Sequence, residues 1–203
     1  MEYVASSRQR HANAVFRPGK AALFVLDVQR YFLDFDSHAF IPSAPAIVPG
    51  INKLIEAFTR AGRPVIATRH FNTPEDAGMM SKWWRDLIHP QIAYNQYIGA
   101  LDLKNAMQVE KTQYDAFLYT SLEETLRVHQ IEQVVITGVM THLCCETTAR
   151  SAFMRGFEVF FSVDGTATYN EELHRASLLT LSHGFAIPVL IDELLNQMES
   201  DAA

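Results

Sequence analysis

Three side chains in this sequence of 203 residues have the chemistry of a nucleophilic site, namely Cys144, Asp27 and Lys111. A thiolate is a strong nucleophile, a carboxylate can take the proton of a thiol, and an ammonium group favours both anions. Such a set would attack a carbonyl carbon and form a thioester. Each residue also has an ordinary interpretation, as a buried structural cysteine, a turn-capping carboxylate or a surface lysine. Taken singly, the residues leave both interpretations open.

The two cysteines of the sequence, Cys144 and Cys145, are adjacent. Neighbouring cysteines cannot join distant segments, which argues against a disulfide scaffold, and the sequence has no CxxC motif to suggest structural zinc. Cys144 follows a predicted strand and opens a predicted helix. Backbone N–H groups and the helix dipole favour an anion at such a position, so we expect the pKa of this thiol to be lowered.

Strands and amphipathic helices alternate along the chain. The continuous apolar segment 21–27 is typical of a strand buried on both faces, and 46–61 has a helical apolar stripe that ends at Gly62. The pattern predicts an α/β fold, a three-layer αβα sandwich with a mainly parallel, doubly wound, Rossmann-like sheet. The other predicted strands are 64–68, 107–111, 133–139, 157–163 and 187–190, and the other predicted helices are 121–130, 144–156, 170–184 and 191–198.

The carboxyl ends of parallel strands meet at one edge of the sheet, where α/β proteins place their functional groups. Asp27 ends the first predicted strand, Lys111 ends a middle strand, and Cys144 follows the most apolar strand. We therefore expect the three side chains to project toward the same edge. The segment 70–105 is predicted to be a long, partly helical excursion over the sheet, of the kind that often lines a site.

The composition is that of an ordinary folded domain, with 48% hydrophobic and 20% charged residues and a net charge of −6. A single domain over 1–203 is predicted, with 1–19 as an N-terminal arm. The sequence has no basic stripe, no apolar stretch of membrane-spanning length and no signal-peptide core in its first twenty residues. We expect a cytoplasmic protein that binds neither nucleic acid nor membrane.

Three segments, taken in order, resemble one family. They are LFVLDVQRYF at 23–32, VEKTQYDAF at 109–117 and GVMTHLCCETTARSAFMRGFEVFFSVDGTAT at 138–168. These segments are similar to the isochorismatase-like hydrolases, also called the cysteine hydrolase family. Together with the strand–helix pattern, the resemblance covers about 20–195. Three motifs in the right order are much more specific than one short motif.

The resemblance implies a catalytic triad carried by Asp27, Lys111 and Cys144. In this family the cysteine lies six residues after the glycine that ends the strand, which here selects Cys144, and Cys145 falls at a position that is usually apolar. The implied activity is hydrolysis of a C–N bond of an amide, carbamoyl or ureido group in a small molecule, without a cofactor. The resemblance also implies a homo-oligomer, either a dimer or a tetramer.

The family further implies a cis peptide bond between Val139 and Met140. The backbone N–H groups of Met140 and Cys144 would then bind the oxyanion of the tetrahedral intermediate. Nicotinamidases of the family bind a metal through an Asp-x-His pattern after the second strand, but this chain has Thr-Arg-His-Phe-Asn at 68–72. No metal site is therefore predicted. The residues predicted to contact substrate are Phe32, Trp83, Trp84, Tyr97 and His142.

Two alternatives remain open at this point. Isochorismatases hydrolyse a vinyl ether without needing a thiol, and His142 and the Trp83–Trp84 pair are closer to that branch, whereas the cysteine at 144 argues against it. The other alternative is a protein of another class. A non-catalytic relative would have no chemical need for all three residues, and a thiol-redox protein using Cys144 and Cys145 would be distinguished from a hydrolase by a thiol titration under oxidant.

Overall fold

A computed structural model describes residues 14–201, so residues 1–13 of the predicted N-terminal arm lie outside the described part. The described chain contains one sheet of six parallel strands in the order β3-β2-β1-β4-β5-β6. This order confirms the predicted doubly wound α/β fold. The strands are β1 Ala21–Leu26, β2 Val65–His70, β3 Met107–Lys111, β4 Gln133–Val139, β5 Glu158–Ala167 and β6 Ile187–Val189.

Helices cover both faces of the sheet, as the prediction of three layers requires. Short 3-10 helices lie at Pro18–Lys20 and Ala93–Asn95, and a single π turn lies at Thr141–Cys145. None of the helices within 14–201 has the length and apolar character to span a membrane. The α-helices are α1 Arg30–Leu33, α2 Ala44–Arg60, α3 Met80–Trp83, α4 Leu122–Val128, α5 Glu146–Met154, α6 Glu171–Gly184 and α7 Ile191–Asp201.

Successive side chains of β1 point into two separate hydrophobic cores. Leu23 and Val25 are buried in the core that also contains residues of α2 and α7. Phe24 and Leu26 are buried in the opposite core, together with residues of α4, α5 and α6. Because both faces of the strand are covered, a continuous apolar sequence is the pattern that forms it.

The strand order reverses between β1 and β4, and this switch point is where such sheets form a crevice. The two strands are in close contact there, because Leu26 is paired with Gly138. Gly138 has φ of +112°, and a Cβ atom at this position would lie 2.1 Å from the carbonyl oxygen of Leu26. Glycine is therefore required for the end of β4 to approach β1.

Replacing Gly138 by alanine is expected to lower the free energy of unfolding by about 3 kcal/mol or more, because the Cβ atom would clash with backbone and φ is positive. Gly156 provides the matched control, since its φ is +84° and a Cβ atom there would meet nothing within 4 Å. Gly156→Ala should cost only about 1 kcal/mol. Urea denaturation of both variants measures the difference, and equal losses would contradict the packing argument.

The largest departures from the predicted elements lie around the site. The helix predicted to begin at Cys144 instead begins at Glu146, because the preceding residues form the π turn. β5 extends to Ala167 after a register shift against β4, four residues beyond the predicted end. The excursion at 70–105 contains only α3 and one 3-10 turn as regular helix.

Candidate active site

The side chains of Lys111, Asp27 and Cys144 meet at the carboxyl edge of the sheet. Lys111 Nζ lies 2.7 Å from Asp27 Oδ2 and donates a hydrogen bond of 3.4 Å to Cys144 Sγ. The side chains of the lysine and the aspartate are fully buried, with 0% exposed surface. The structure therefore brings together the three residues that the sequence singled out, and the lysine is not a surface residue.

Asp27 occupies the first position after β1, in the left-handed region with φ of +52°. Its side chain accepts a hydrogen bond of 2.6 Å from Thr68 Oγ1, and its backbone N–H donates to the same oxygen atom at 3.1 Å. Thr68 belongs to the neighbouring strand β2, so the carboxylate is fixed across the sheet edge and does not cap a local turn. This arrangement leaves Oδ2 facing Lys111.

Besides its ion pair with Asp27, the Lys111 ammonium group also bonds backbone carbonyl oxygens. Its Nζ donates to the carbonyl oxygens of Gln113 at 2.9 Å and Tyr114 at 3.3 Å. Burial by itself would lower the pKa of this lysine, but its interactions with Asp27, and further with Cys144, outweigh burial and raise the pKa. The ammonium group is therefore a permanent positive charge between two acidic side chains.

The expected lowering of the Cys144 pKa is wrong. Burial raises the pKa of this thiol, the charge of Lys111 lowers it, and the charge of Asp27 and a hydrogen bond to it raise it further. The sulfur lies in a π turn in the protein interior, and burial opposes the thiolate more strongly than the lysine favours it. Cys144 is consequently a protonated thiol at neutral pH, and a base is needed to activate it.

Gln29 fixes the end of β2 beside these residues. Its side-chain amide donates to the carbonyl oxygen of His70 at 2.9 Å and accepts from the His70 N–H at 2.8 Å. The same Nε2 donates to the carbonyl oxygen of Asn95 at 2.8 Å. Gln29 is fully buried, and its side-chain amide bonds the backbone of His70 as a neighbouring strand would. His70 is thereby fixed opposite Lys111, with which it is paired between β2 and β3.

A cavity of about 170 Å³ opens onto Cys144 and Met140. It is small relative to the roughly 300–1,000 Å³ of sites that bind drug-sized ligands, so it fits a small molecule. The peptide bond between Val139 and Met140 is cis. Apolar and aromatic side chains form most of the remaining wall, namely Tyr31, Phe32, Ala39, Met80, Trp84, Leu87, Ile88, Tyr114, Leu143 and Tyr169.

Two of the five predicted substrate contacts, Phe32 and Trp84, line this cavity. The indole Nε1 of Trp84 donates a hydrogen bond of 2.6 Å to the hydroxyl oxygen of Tyr114 across the cavity. This bond joins the 70–105 excursion to the segment that follows Lys111. The excursion therefore forms part of the wall, as its length suggested.

The other three predicted contacts lie outside the cavity. Trp83 is 75% exposed, on the side of α3 that faces away from the cavity. Tyr97 packs against the sheet and donates its hydroxyl proton to the carbonyl oxygen of Ala67. The ring of His142 bonds Thr168 Oγ1 and faces a separate open depression. Trp83 and Tyr97 were predicted from their place in the 70–105 excursion and His142 from a family likeness, and neither basis contains the direction of the side chain.

The mouth of the cavity has a polar cluster that the sequence did not indicate. The hydroxyl group of Tyr31 lies 3.1 Å from His38 Nε2, which in turn lies 3.5 Å from Asp86 Oδ2. Burial, followed by the charge of Asp86, raises the pKa of Tyr31 to about 12. These residues come from two separate segments, so no local motif could have joined them.

The residues at the end of β2 do not fit a resident metal. His70 and Asn72 contribute one imidazole and one amide to the cavity wall, and the amide nitrogen of Asn72 already donates to the carbonyl oxygen of Thr112. Within 14–201, no group of three or more His, Cys, Asp and Glu side chains is placed to hold a metal ion.

Comparison with known proteins relates this geometry to a family. The model of the isochorismatase domain matches residues 21–193, which is most of the chain. The chain belongs to the isochorismatase family of hydrolases. Asp27, Lys111 and Cys144 all lie within the matched region, and so do the residues of the cavity.

Individual relatives of this isochorismatase-family chain have different activities in their names. The chain is 42% identical to nicotinamidase 3 of Arabidopsis thaliana over 180 residues, covering 86% of each protein. It is 29% identical to the isochorismatase of Bacillus subtilis, covering 92% of this chain but only 60% of that protein. A cysteine hydrolase from Pseudomonas syringae has the same fold, with a TM-score of 0.87, 26% identity and coverage of 91% and 95% of the two chains.

Proposed function

We propose that this hydrolase cleaves the C–N bond of a small carboxamide through a thioester on Cys144, and that nicotinamide is the first substrate to test. The observation that carries the proposal is the position of Lys111 Nζ, between Asp27 Oδ2 and Cys144 Sγ in the interior. A relative named as a nicotinamidase, 42% identical to this chain, supports the choice of substrate. The cavity is small and has Phe, Trp and Tyr side chains in its wall, which suits a planar ring.

The first step is activation of the thiol. Asp27 takes the proton of Cys144, and the resulting thiolate attacks the carbonyl carbon of the amide. Because burial keeps the thiol protonated at rest, the base has to be an adjacent group, and Asp27 is the carboxylate that shares the Lys111 ammonium group with Cys144. Lys111 keeps its proton throughout and stabilises whichever of its two neighbours bears the negative charge.

The second step is collapse of the tetrahedral intermediate. Met140 and Cys144 both line the cavity, and their backbone N–H groups are the proposed donors to the oxyanion. Asp27, now protonated, gives its proton to the amide nitrogen, and ammonia leaves. The C–N bond has then been replaced by a C–S bond.

The third step is hydrolysis of the thioester. Asp27 takes a proton from a water molecule, and the hydroxide attacks the thioester carbon. The C–S bond breaks, the free acid is released, and the thiolate recovers a proton from Asp27. The overall reaction is carboxamide plus water giving carboxylic acid plus ammonia, so no cofactor or external oxidant is required.

A vinyl-ether hydrolase is the second candidate, favoured by the 29% identity to an isochorismatase over 92% of this chain. A panel of nicotinamide, an N-carbamoyl amino acid and isochorismate, assayed with the purified protein, separates the two activities. Release of ammonia from nicotinamide is the expected result. Turnover of isochorismate alone would contradict the proposed function and assign the protein to the vinyl-ether branch.

A further inference from the structure

The π turn Thr141–Cys145 has to place two groups at once if the proposed mechanism is to work. The backbone N–H of Met140, just before the turn, and the sulfur of Cys144, inside it, would act on the same carbonyl group of the substrate. A displacement of about 1 Å at a reacting centre can cost about 100-fold in rate. The side chains that fix this turn to the rest of the protein can therefore control the reaction without contacting the substrate.

Thr141, the first residue of the turn, is bonded to a helix that packs against it. Thr141 is fully buried, and its Oγ1 lies 3.0 Å from Nδ1 of His174, the fourth residue of α6. The start of this helix is itself fixed, because the side chain of Asn170 accepts a hydrogen bond of 2.9 Å from the N–H of Leu173. The first residue of the turn is thus held by a capped helix that is remote in sequence.

His142, the next residue, is bonded to a different element. Its Nδ1 lies 2.7 Å from Oγ1 of Thr168, which is buried and directly follows β5. The carbonyl oxygen of Thr168 accepts a hydrogen bond of 2.8 Å from the hydroxyl group of Ser43, just before α2. Two consecutive residues of the turn therefore each form a threonine–histidine hydrogen bond, one to α6 and one to the end of β5.

Both imidazoles are neutral and lie away from the cavity. Burial lowers the pKa of His174, against an opposing interaction with the backbone of Val163, and burial lowers the pKa of His142, against the charge of Glu146. A neutral imidazole has one donor and one acceptor nitrogen, so each ring bonds its threonine without placing a charge beside the thiol. Neither histidine and neither threonine is among the described residues that line the cavity. Any effect of the two pairs on the reaction has to act through the turn.

We infer that His142 and His174 are positioning residues, which hold the π turn so that the Met140 N–H and the Cys144 thiol meet at one carbonyl group. This inference rests on the proposed amide hydrolysis and adds the contacts that keep its reacting groups aligned. A turn fixed at one residue could still rotate about that point, whereas a second fixed residue removes this freedom. Loss of either bond should therefore slow the chemical step and leave substrate binding almost unchanged.

Thr141→Val tests the inference with little change of shape, since it replaces a hydroxyl group by a methyl group. It should lower kcat for nicotinamide by about 10-fold or more and change KM by less than about 3-fold. His174→Ala should have the same effect, and the double variant should lose no more than either single variant, because all three lack the same bond. His174→Asn, whose amide can reach the position of Nδ1, should recover part of the loss.

Binding of pyridine-3-carbaldehyde separates positioning from a structural role. The thiol of Cys144 adds to this aldehyde, so that a C–S bond forms, the thiol proton passes to the carbonyl oxygen, and that oxygen takes the place of the oxyanion. The inhibition constant of the aldehyde should rise by about the same factor as kcat/KM falls in each variant. Partial unfolding would instead reduce the amount of active protein and leave the inhibition constant unchanged.

His183→Asn is the matched control, since His183 lies on the same helix but is exposed. It should keep kcat and the inhibition constant within about 2-fold of the wild-type values. If Thr141→Val does not fold, Thr168→Val removes the partner of His142 and tests the same inference. Wild-type kcat and aldehyde affinity in the variants that lack a bond, or additive losses in the double variant, would overturn the inference and leave amide hydrolysis intact. Absence of amide turnover by the wild-type protein would contradict the proposed function, and this inference with it.

Discussion

Replacing Cys144 by alanine is expected to lower kcat for amide hydrolysis by about 10⁴-fold or more, because neither Asp27 nor Lys111 can form the thioester in its place. The variant should fold, since it removes only a sulfur atom from a buried position. Steady-state release of ammonia, measured beside a thermal unfolding curve, checks both statements.

Cys145 provides the control for this experiment within the same turn. Cys145 is fully buried in the hydrophobic core that contains Phe24 and Leu26, and its sulfur lies 4.0 Å from the carbonyl oxygen of Thr137. Burial raises the pKa of this thiol well above its ordinary value, so it remains protonated. Cys145→Ala should keep kcat within about 3-fold and lose roughly 1 kcal/mol of stability from the small cavity. Equal loss of activity in the two variants would contradict the selection of Cys144.

Breaking the ion pair between Asp27 and Lys111 is expected to have the largest effect on stability. Asp27→Asn leaves a buried ammonium group without its counter-charge, and Lys111→Met leaves a buried carboxylate, so each should cost about 3–5 kcal/mol of unfolding free energy. The double variant contains no uncompensated charge and should recover most of this loss. All three variants should lack amide hydrolysis.

Urea denaturation, with ammonia release measured in parallel, tests this expectation. The exposed pair of Arg60 and Glu56 on α2 is the control, because solvent screens it and Glu56→Gln should change stability by less than about 0.5 kcal/mol. A double variant that is as unstable as the sum of the single variants would show that the two charges do not compensate each other. Wild-type activity in any of the three would remove the pair from the mechanism.

The sheet was predictable from the hydrophobic pattern of its strands and helices, and the proximity of the three residues was predictable from the topology of a parallel sheet. Both β3 and β4 have the predicted bounds, 107–111 and 133–139, although only β4 is buried along its whole length and β3 is largely exposed. Asp27, Lys111 and Cys144 are far apart in sequence. They meet because parallel strands expose their carboxyl ends at one edge.

The cavity wall and the thiol pKa depend on tertiary packing that the sequence pattern does not contain. Trp83 and Trp84 are neighbours in sequence, yet only the second lines the cavity, because the chain leaves α3 between them. The expectation for the Cys144 pKa used its position before a helix and had no measure of burial, which turned out to dominate. The oligomeric state remains a prediction from the family resemblance.

Detection of the acyl-enzyme tests the central claim most directly. The protein would be mixed with nicotinamide, quenched in acid within milliseconds to seconds, and analysed by mass spectrometry as intact protein and as peptides. The account predicts a mass increase equal to one nicotinoyl group, on the peptide containing Cys144 and absent from Cys144→Ser. Acylation of a different side chain, or full turnover by Cys144→Ser, would contradict it.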